Sequence, residues 1–345
     1  MWSVEKSIAE KMKPVADTLM SAESMYIISH IVADGDAMGS CAALCHEMRK
    51  LGKKADVLFE DSLAENLHFL DKDYVTFVDE NTVLETRDLC VALDCNNITR
   101  FPKREHIYFG CGRQTVCVDH HATGGKIAEV EYVDADAAAT AEIMYELLIT
   151  MGIEPDAETC EAIYTGISTD TGRFQYTNTS KKTHLITAEL YDSGINPNKL
   201  NVILYQSERA QKLKLRTLIM STLQVLCGGL LTMAYVSLDM YKEADAHVNE
   251  SDGMNALIKD IKGVELAVFI REVSQNEVKV GFRSKEYIDV SEFSTLFGGG
   301  GHKHAAGCTV HANLDETIEM MRDAAVKYVE AFESEHPEIV RHVEV

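Results

Sequence analysis

Three short apolar runs, each followed by an acidic or imidazole side chain, constrain the fold of this chain more than any other feature. Tyr26-Ile27-Ile28 precedes His30, Val91-Ala92-Leu93 precedes Asp94, and Thr115 to Val118 precedes Asp119-His120-His121. Short runs rich in β-branched residues read as strands, and helical patterns lie between them, which is the order of repeated βαβ units. In an open parallel sheet the residues just past the strand ends share one edge, and ligands bind along it. The chemistry-bearing side chains are therefore expected side by side.

This alternation runs from about Met25 to Ile195. Val4, Ile8, Val15 and Leu19 mark a leading amphipathic helix. Strands are expected at Met25 to Ser29, Ala55 to Phe59, Cys90 to Leu93, Thr115 to Val118 and Glu129 to Val133. Helices are expected at Met38 to Leu51, Ala139 to Met151 and Ala157 to Ile167, with Gly52 and Gly152 as stops. Dense turn chemistry from Asp192 to Asn198 marks a domain boundary. A first domain thus spans 1–195, a linker with a long helix (Ser207 to Leu226) spans 196–228, and a second domain spans 229–340.

In that second part, strand patterns occur at Leu230 to Leu238, Leu266 to Val273, Glu277 to Arg283 and Gly307 to Val310. A short helix runs through Phe293, and a final helix spans Leu314 to Phe332. The expected class is α/β, with a doubly wound, mostly parallel sheet in the N-terminal domain and a smaller mixed-sheet α/β domain after it. A length of 345 residues suits two cores better than one.

Charge narrows the partners. A formal net charge of -22 argues against capture of duplex or long single-stranded nucleic acid, which relies on clustered Lys and Arg. A small polyanion is compatible, because bound divalent cations reverse the field locally. Nine cysteines without a C-x-x-C pair frame neither a disulfide scaffold nor a zinc knuckle, so a reducing, cytoplasmic setting is expected. No apolar stretch approaches the roughly 20 residues that span a bilayer. The opening residues, Met1 to Lys6, lack the basic and apolar regions of a secretory leader.

The segment His30-Ile31-Val32-Ala33-Asp34-Gly35-Asp36 offers three potential metal ligands. Gly35 lets the two carboxylates diverge, and Gly39 and Ser40 would bring the following helix close to a phosphate. The plainer reading is that Asp34 and Asp36 only cap and charge the helix start. Asp94 has two oxygens that can each reach a cation, although a strand-end Asp also serves as a turn residue. Arg100 is a candidate for bidentate phosphate contact. His120 and His121 point to opposite sides of an extended chain, with Asp119 placed to orient an imidazole. Asp170, in Gly166 to Phe174, is a candidate last ligand. A dispersed carboxylate and imidazole set of this kind points to metal-assisted hydrolysis of a phosphate ester.

Taken in order, H-x-x-x-D-G-D-A-x-G-S, the strand-end Asp, D-H-H and G-I-x-T-D-T-G-x-F resemble the four motifs of the DHH phosphoesterase superfamily. Arg283-Ser284, Ile288-Asp289-Val290 and Phe297 to Gly307 resemble its DHH-associated C-terminal domain. The likeness covers nearly the whole chain and is strongest to the bifunctional oligoribonuclease and pAp phosphatase type. It implies two divalent cations, manganese foremost, one on His30, Asp34 and Asp94 and one on Asp36, Asp94, His120 and Asp170. Asp94 would bridge them, and His121 would sit over the reacting phosphoryl group.

The resemblance further implies substrate contacts from Arg283, Ser284, Gly299, Gly300, Gly301 and His302, the glycines offering backbone N–H groups to phosphate. Implied substrates are short RNA oligonucleotides, linear dinucleotides such as pApA, and pAp, with no duplex and no membrane partner. A standalone cyclic-di-AMP or linear dinucleotide phosphodiesterase, a manganese inorganic pyrophosphatase and a catalytically inactive nucleotide-binding module are the alternatives. Ala33 stands where proline is usual, Asn97 where Asp is frequent, and Ala122-Thr123 follow the histidines; none of these removes a ligand. Around Ala137 to Glu142, relatives often carry a serine hydroxyl that this sequence lacks. The leading helix and the helix from Ser207 are candidate homodimer surfaces.

Overall fold

The apolar runs do become parallel strands. In the computed structural model, residues 4–79, 81–101 and 105–336 are described; Met1 to Ser3, read above for a leader, and 337–340 of the expected second domain lie outside them. The chain divides into two units, Met1–Ser207 and Glu208–Val345. The first carries α1 (Lys6–Ser21), β1 (Ser24–Ile28), α2 (Gly35–Lys50), β2 (Lys54–Phe59), β3 (Val75–Phe77) and β4 (Arg87–Leu93). It continues with α3 (Glu105–Gly110), β5 (Gly112–Asp119), β6 (Val130–Val133), α4 (Thr140–Thr150), α5 (Ala157–Asp170), α6 (Lys181–Asp192) and α7 (Pro197–Tyr205).

The sheet has the order β3-β2-β1-β4-β5-β6, and every pairing is parallel. The strand order reverses between β1 and β4, and the crevice past their carboxyl ends is where such sheets bind ligands. The register sets Ile28 beside Ala92 and Leu93 beside Val118, so His30, Asp94 and Asp119 emerge on adjacent strands. Apolar clusters cover both faces, one through Ile27, Val91 and Val116 and the other through Ile28, Ala92 and Cys117. Burial on both sides explains why these strands read as continuous apolar runs.

Behind this edge α2 and α5 pack closely enough that glycine is required. A Cβ on Gly39 would lie 2.4 Å from the Ala162 carbonyl oxygen, and one on Gly166 would lie 2.7 Å from Asp36 Oδ1. The expected phosphate approach of Gly39 and Ser40 is thereby corrected: Gly39 meets the α5 backbone, and Ser40 is buried and donates to Asp36 Oδ1 at 3.3 Å.

Asp156 caps α5, accepting from the Thr159 N–H at 3.1 Å and from Lys50 Nζ at 2.8 Å. Burial pushes its carboxyl up, but Lys50, Thr159 and His46 outweigh that and hold it well below the usual carboxylate range. Asp156→Ala should lower unfolding free energy by about 1–2 kcal/mol in urea titration. Because the folded value is depressed, this contribution is present above about pH 3.9 and is lost as pH falls through the folded value. The wild type and variant curves should therefore converge in acid.

The domain boundary is corrected by a helix that the sequence reading took for a turn. Asn196 accepts from the Lys199 N–H at 3.0 Å and Pro197 occupies the first turn, a helix start rather than a linker. Leu200 and Leu204 of α7 join the first unit's core, so the division falls after Ser207. The long helix expected from Ser207 to Leu226 is only α8 (Ala210–Met220), followed by β7 (Gln224–Leu226). Ser221 and Thr222 end it by hydrogen-bonding preceding carbonyls through their hydroxyls.

The second unit then holds β8 (Leu231–Val236), α9 (Leu238–Ala244), α10 (Met254–Lys259), β9 (Leu266–Ser274), β10 (Glu277–Ser284), α11 (Val290–Thr295), β11 (Gly300–His302), β12 (Ala305–Val310) and α12 (Leu314–Glu335). Its sheet order is β11-β12-β10-β9-β8-β7, mixed because only β8 and β9 run parallel. The end of the glycine run contributes strand β11. Met321, Ala325 and Val329 of α12 pack in the core with Val268, Val280 and Phe282. Among the described residues, no helix is long and apolar enough to cross a membrane.

Candidate metal centre

The site is assembled at the switch point. Asp34 caps α2, its Oδ1 accepting from the Asp36 and Ala37 N–H groups at 3.1 and 3.0 Å. Its Oδ2 lies 3.8 Å from His30 Nε2, so the capping role does not consume the carboxylate. His30 Nδ1 meets the Ile31 carbonyl at 2.8 Å, while Nε2 lies 3.4 Å from Asp94 Oδ2. His120 Nε2 lies 3.6 Å from Asp94 Oδ1, 3.6 Å from Asp170 Oδ2 and 3.9 Å from Asp36 Oδ2.

Two neighbouring sets result. One ligand atom each from His30, Asp34 and Asp94 lie within 4.8 Å of one another, as do atoms from Asp36, His120 and Asp170. Asp94 joins the sets, touching both imidazoles from a left-handed backbone with φ of 57° that Asp tolerates better than most residues. The structure thus gathers all six residues that the sequence reading put forward as ligands.

The electrostatics ask for cations. Burial, together with neighbouring carboxylates, pushes Asp36 and Asp94 well above the ordinary carboxylate range, and burial raises Asp170 as well. Among the described residues no Lys or Arg pairs with Asp34, Asp36, Asp94 or Asp170. Burial also lowers His30, favouring the neutral ring, and its buried Nε2 has no hydrogen-bond partner. Buried carboxylates are normally paired or bound to metal, and oxygen with imidazole donors suits hard to borderline divalent ions. The residues present fit such ions.

His121 is held separately. Asp119 Oδ1 meets its Nδ1 at 2.7 Å and also accepts from the His120 and His121 N–H groups at 2.7 and 3.0 Å. That hydrogen bond raises His121 above the usual imidazole range. Burial pushes Asp119 up, but the His121 ring and the two N–H groups outweigh it and keep the carboxyl low. Arg100 is near enough for its charge to lower both His30 and His121.

Two supports escaped the sequence reading. The Thr140 hydroxyl donates to Asp94 Oδ1 at 2.9 Å, and the Thr140 and Ala141 N–H groups donate to Asp36 at 2.6 and 2.8 Å. The N-terminus of α4 is thus aimed at a buried carboxylate. The hydroxyl thought missing around Ala137 to Glu142 is supplied by Thr140, and Asn178, which donates to the Ala138 and Asp170 carbonyls, ties the segments together. Thr140→Val keeps the shape and removes the donor. It should weaken affinity for divalent cations and kcat/KM about 10- to 100-fold with an unchanged far-ultraviolet spectrum, measured by metal titration.

In the second unit Arg283, Gly299 and Gly300 line a cavity of 1010 Å³, whereas Gly301, His302 and Ser284 do not. Ser284 is buried, and its hydroxyl meets His304 Nδ1 at 3.0 Å, so its expected substrate contact is corrected to a structural bond. A Cβ on Gly299 would lie 2.3 Å from the Gly307 carbonyl oxygen, so strand packing requires that glycine. His302 is exposed on β11, beside Ala305.

Comparison with known proteins identifies the family of both parts of the chain. Residues 24–167 match the DHH family, N-terminal domain, and residues 230–331 match the DHHA1 domain. The chain is 32% identical over 320 residues to the bifunctional oligoribonuclease and PAP phosphatase NrnA of Thermus thermophilus, covering 91% of this chain and 93% of that one. The Bacillus subtilis protein of the same name is 24% identical, with 89% and 95% covered. Among solved structures, an exopolyphosphatase-related protein from Bacteroides fragilis shares the fold with a TM-score of 0.82 at 23% identity, covering 92% of this chain and 96% of that one. An exonuclease RecJ solved with manganese matches with a TM-score of 0.55 at 17% identity, covering 98% and 97%.

Proposed function

The chain belongs to the DHH family of phosphoesterases and carries a DHHA1 domain, and we propose that it hydrolyses short RNA oligonucleotides and linear dinucleotides such as pApA to mononucleotides and also dephosphorylates pAp. It is a hydrolase of phosphoester bonds. One observation carries the reading: Asp36 and Asp94, buried beside the imidazoles of His30 and His120, have no Lys or Arg to neutralise them among the described residues.

In this reading His30, Asp34 and Asp94 hold one divalent cation, manganese foremost, and Asp36, Asp94, His120 and Asp170 hold a second. Bound there, the pair supplies Lewis-acid charge for the phosphoryl oxygens and makes water nucleophilic near neutral pH. The protein's own part is positioning. Thr140 and the α4 N–H groups fix Asp94 and Asp36, and Asp119 holds His121 by Nδ1. The opposite ring nitrogen of His121 is left to donate to a leaving oxygen, and the raised affinity of this ring for protons suits that task.

Small substrates follow from charge. A chain of net charge -22 has no general attraction for a long polyanion, which places duplex nucleic acid outside the proposed range. The names of the Thermus and Bacillus relatives support oligoribonucleotides and PAP. A cytoplasmic setting belongs to the same proposal, as the reducing compartment that suits the spacing of the nine cysteines in the sequence.

The test is a hydrolysis panel of pApA, a short RNA, pAp, cyclic di-AMP and pyrophosphate, each with manganese and with chelator. Mononucleotides should appear from pApA and short RNA, and AMP from pAp, with no product in chelator. Turnover of the cyclic dinucleotide or of pyrophosphate alone would overturn the substrate assignment.

A further inference from the structure

Beyond the carboxylates and imidazoles, one buried amide reaches the metal centre. Asn96 stands two residues past Asp94 and is 5% exposed. Its Nδ2 donates to the His121 carbonyl at 2.8 Å, which joins the end of β4 to the end of β5. Its own carbonyl accepts from the Gly125 N–H at 3.1 Å. The polypeptide that follows Asp119-His120-His121 is therefore tied at two points to the polypeptide that follows Asp94.

Gly124 makes a third point. A Cβ there would lie 2.8 Å from Asn96 Nδ2 and closer still to Oδ1, so this glycine lies directly against the amide. Its neighbour Gly125 has open space where a Cβ would go. Neither glycine has a positive φ, so the requirement at Gly124 comes from the Asn96 side chain and not from backbone conformation. Ala122 to Lys126 are exposed, and exposed backbone costs conformational entropy to hold still. A buried amide that grips such a loop at three points supplies what the loop's own side chains do not.

The grip bears on His121. The His121 N–H is held by Asp119 Oδ1 at 3.0 Å, its ring by the same oxygen at 2.7 Å, and its carbonyl by Asn96. Asp119 fixes the rotation of the ring, but a ring is only as well placed as the main chain that carries it. Asn96 is the anchor that comes from the Asp94 strand. From this position His121 Nδ1 lies 3.6 Å from Asp94 Oδ1. A displacement of about 1 Å in a positioned group costs on the order of a hundredfold in rate.

We propose that Asn96 is a positioning residue for phosphoester cleavage: by fixing the main chain from His121 to Gly125 it sets where His121 stands relative to Asp94. The inference rests on the reading above in which His121 serves the leaving oxygen, while the clamp itself rests on the three contacts alone. The Asn96 amide moves no proton, and its effect passes through His121.

The test compares Asn96→Ala, Gly124→Ala and Gly125→Ala in the full chain. Gly124→Ala pushes the Asn96 amide away from an exposed position, so it serves even if Asn96→Ala folds poorly. Gly125→Ala is the matched control: it adds the same methyl group in open space and keeps its N–H. On whichever substrate of the hydrolysis panel is turned over, Asn96→Ala and Gly124→Ala should each lower kcat about 10- to 100-fold, with KM and cation affinity within about twofold of wild type. Gly125→Ala should match the wild type. Placed on His121→Ala, Asn96→Ala should cost nothing further. Hydrogen exchange in the metal-free chain reads the clamp without turnover: residues 121–125 should exchange about tenfold faster in Asn96→Ala and Gly124→Ala, the scale of one hydrogen bond, and at the wild-type rate in Gly125→Ala. Equal kcat in Gly124→Ala and Gly125→Ala, a loss in KM or cation affinity instead of kcat, or an additive loss on His121→Ala overturns the inference. The two proposals fail separately: turnover of another panel substrate in place of pApA removes the substrate assignment and leaves the kinetic comparison standing, and unchanged exchange in Asn96→Ala removes the clamp whichever substrate is cleaved.

Discussion

Asp94→Asn should lower kcat/KM for pApA by about a thousandfold or more, equivalent to roughly 4 kcal/mol of transition-state stabilisation. Asn is the informative replacement because residue 94 sits at φ 57°, where an alanine would add backbone strain of its own. The amide keeps the shape and the αL tolerance but loses the charge that the His30 and His120 sets share. A second readout does not depend on turnover. Manganese should raise the melting temperature of the wild type, since a ligand that binds only the folded chain stabilises it, and Asp94→Asn should lose most of that rise. Activity within tenfold of wild type together with an undiminished thermal shift would refute a shared role for Asp94.

His121→Ala should cost about 10²- to 10⁴-fold in kcat, the range for losing a positioned proton donor, while manganese affinity changes little. Asp119 acts through His121: it is fully buried, and its Oδ1 fixes Nδ1 at 2.7 Å. Asp119→Asn should accordingly cost about 10- to 100-fold. The double variant should be no worse than His121→Ala alone, because removing the ring already removes what Asp119 positions. Additive losses in single-turnover measurements would show that Asp119 contributes by another route.

The six proposed ligands were legible because each is tied to an element end that local sequence determines. A β-branched run fixes a strand, and the next polar residue must leave at its end, as His30 and Asp94 do. The supports were not legible in the same way. Thr140 is one of many threonines until α4 is known to start beside Asp94, and Gly166 is an ordinary helical glycine until Asp36 is found 2.7 Å from where its Cβ would be. Asn196-Pro197 was read as punctuation between domains, yet the same residues cap a helix, and only the burial of Leu200 and Leu204 decides. The pairing of Lys279 with Arg271 is invisible in sequence because cross-strand register between β10 and β9, not spacing, creates it.

Two cations held by the buried carboxylate and imidazole cluster are what the proposed phosphoester cleavage requires. The most direct measurement is manganese bound per full-length chain, by equilibrium dialysis with elemental analysis, with pApA hydrolysis scored in the same samples. Two ions per chain, with product forming only as the second is taken up, is the expected result. Hydrolysis by chain stripped of metal, or two bound ions with no phosphoester cleaved, would contradict it.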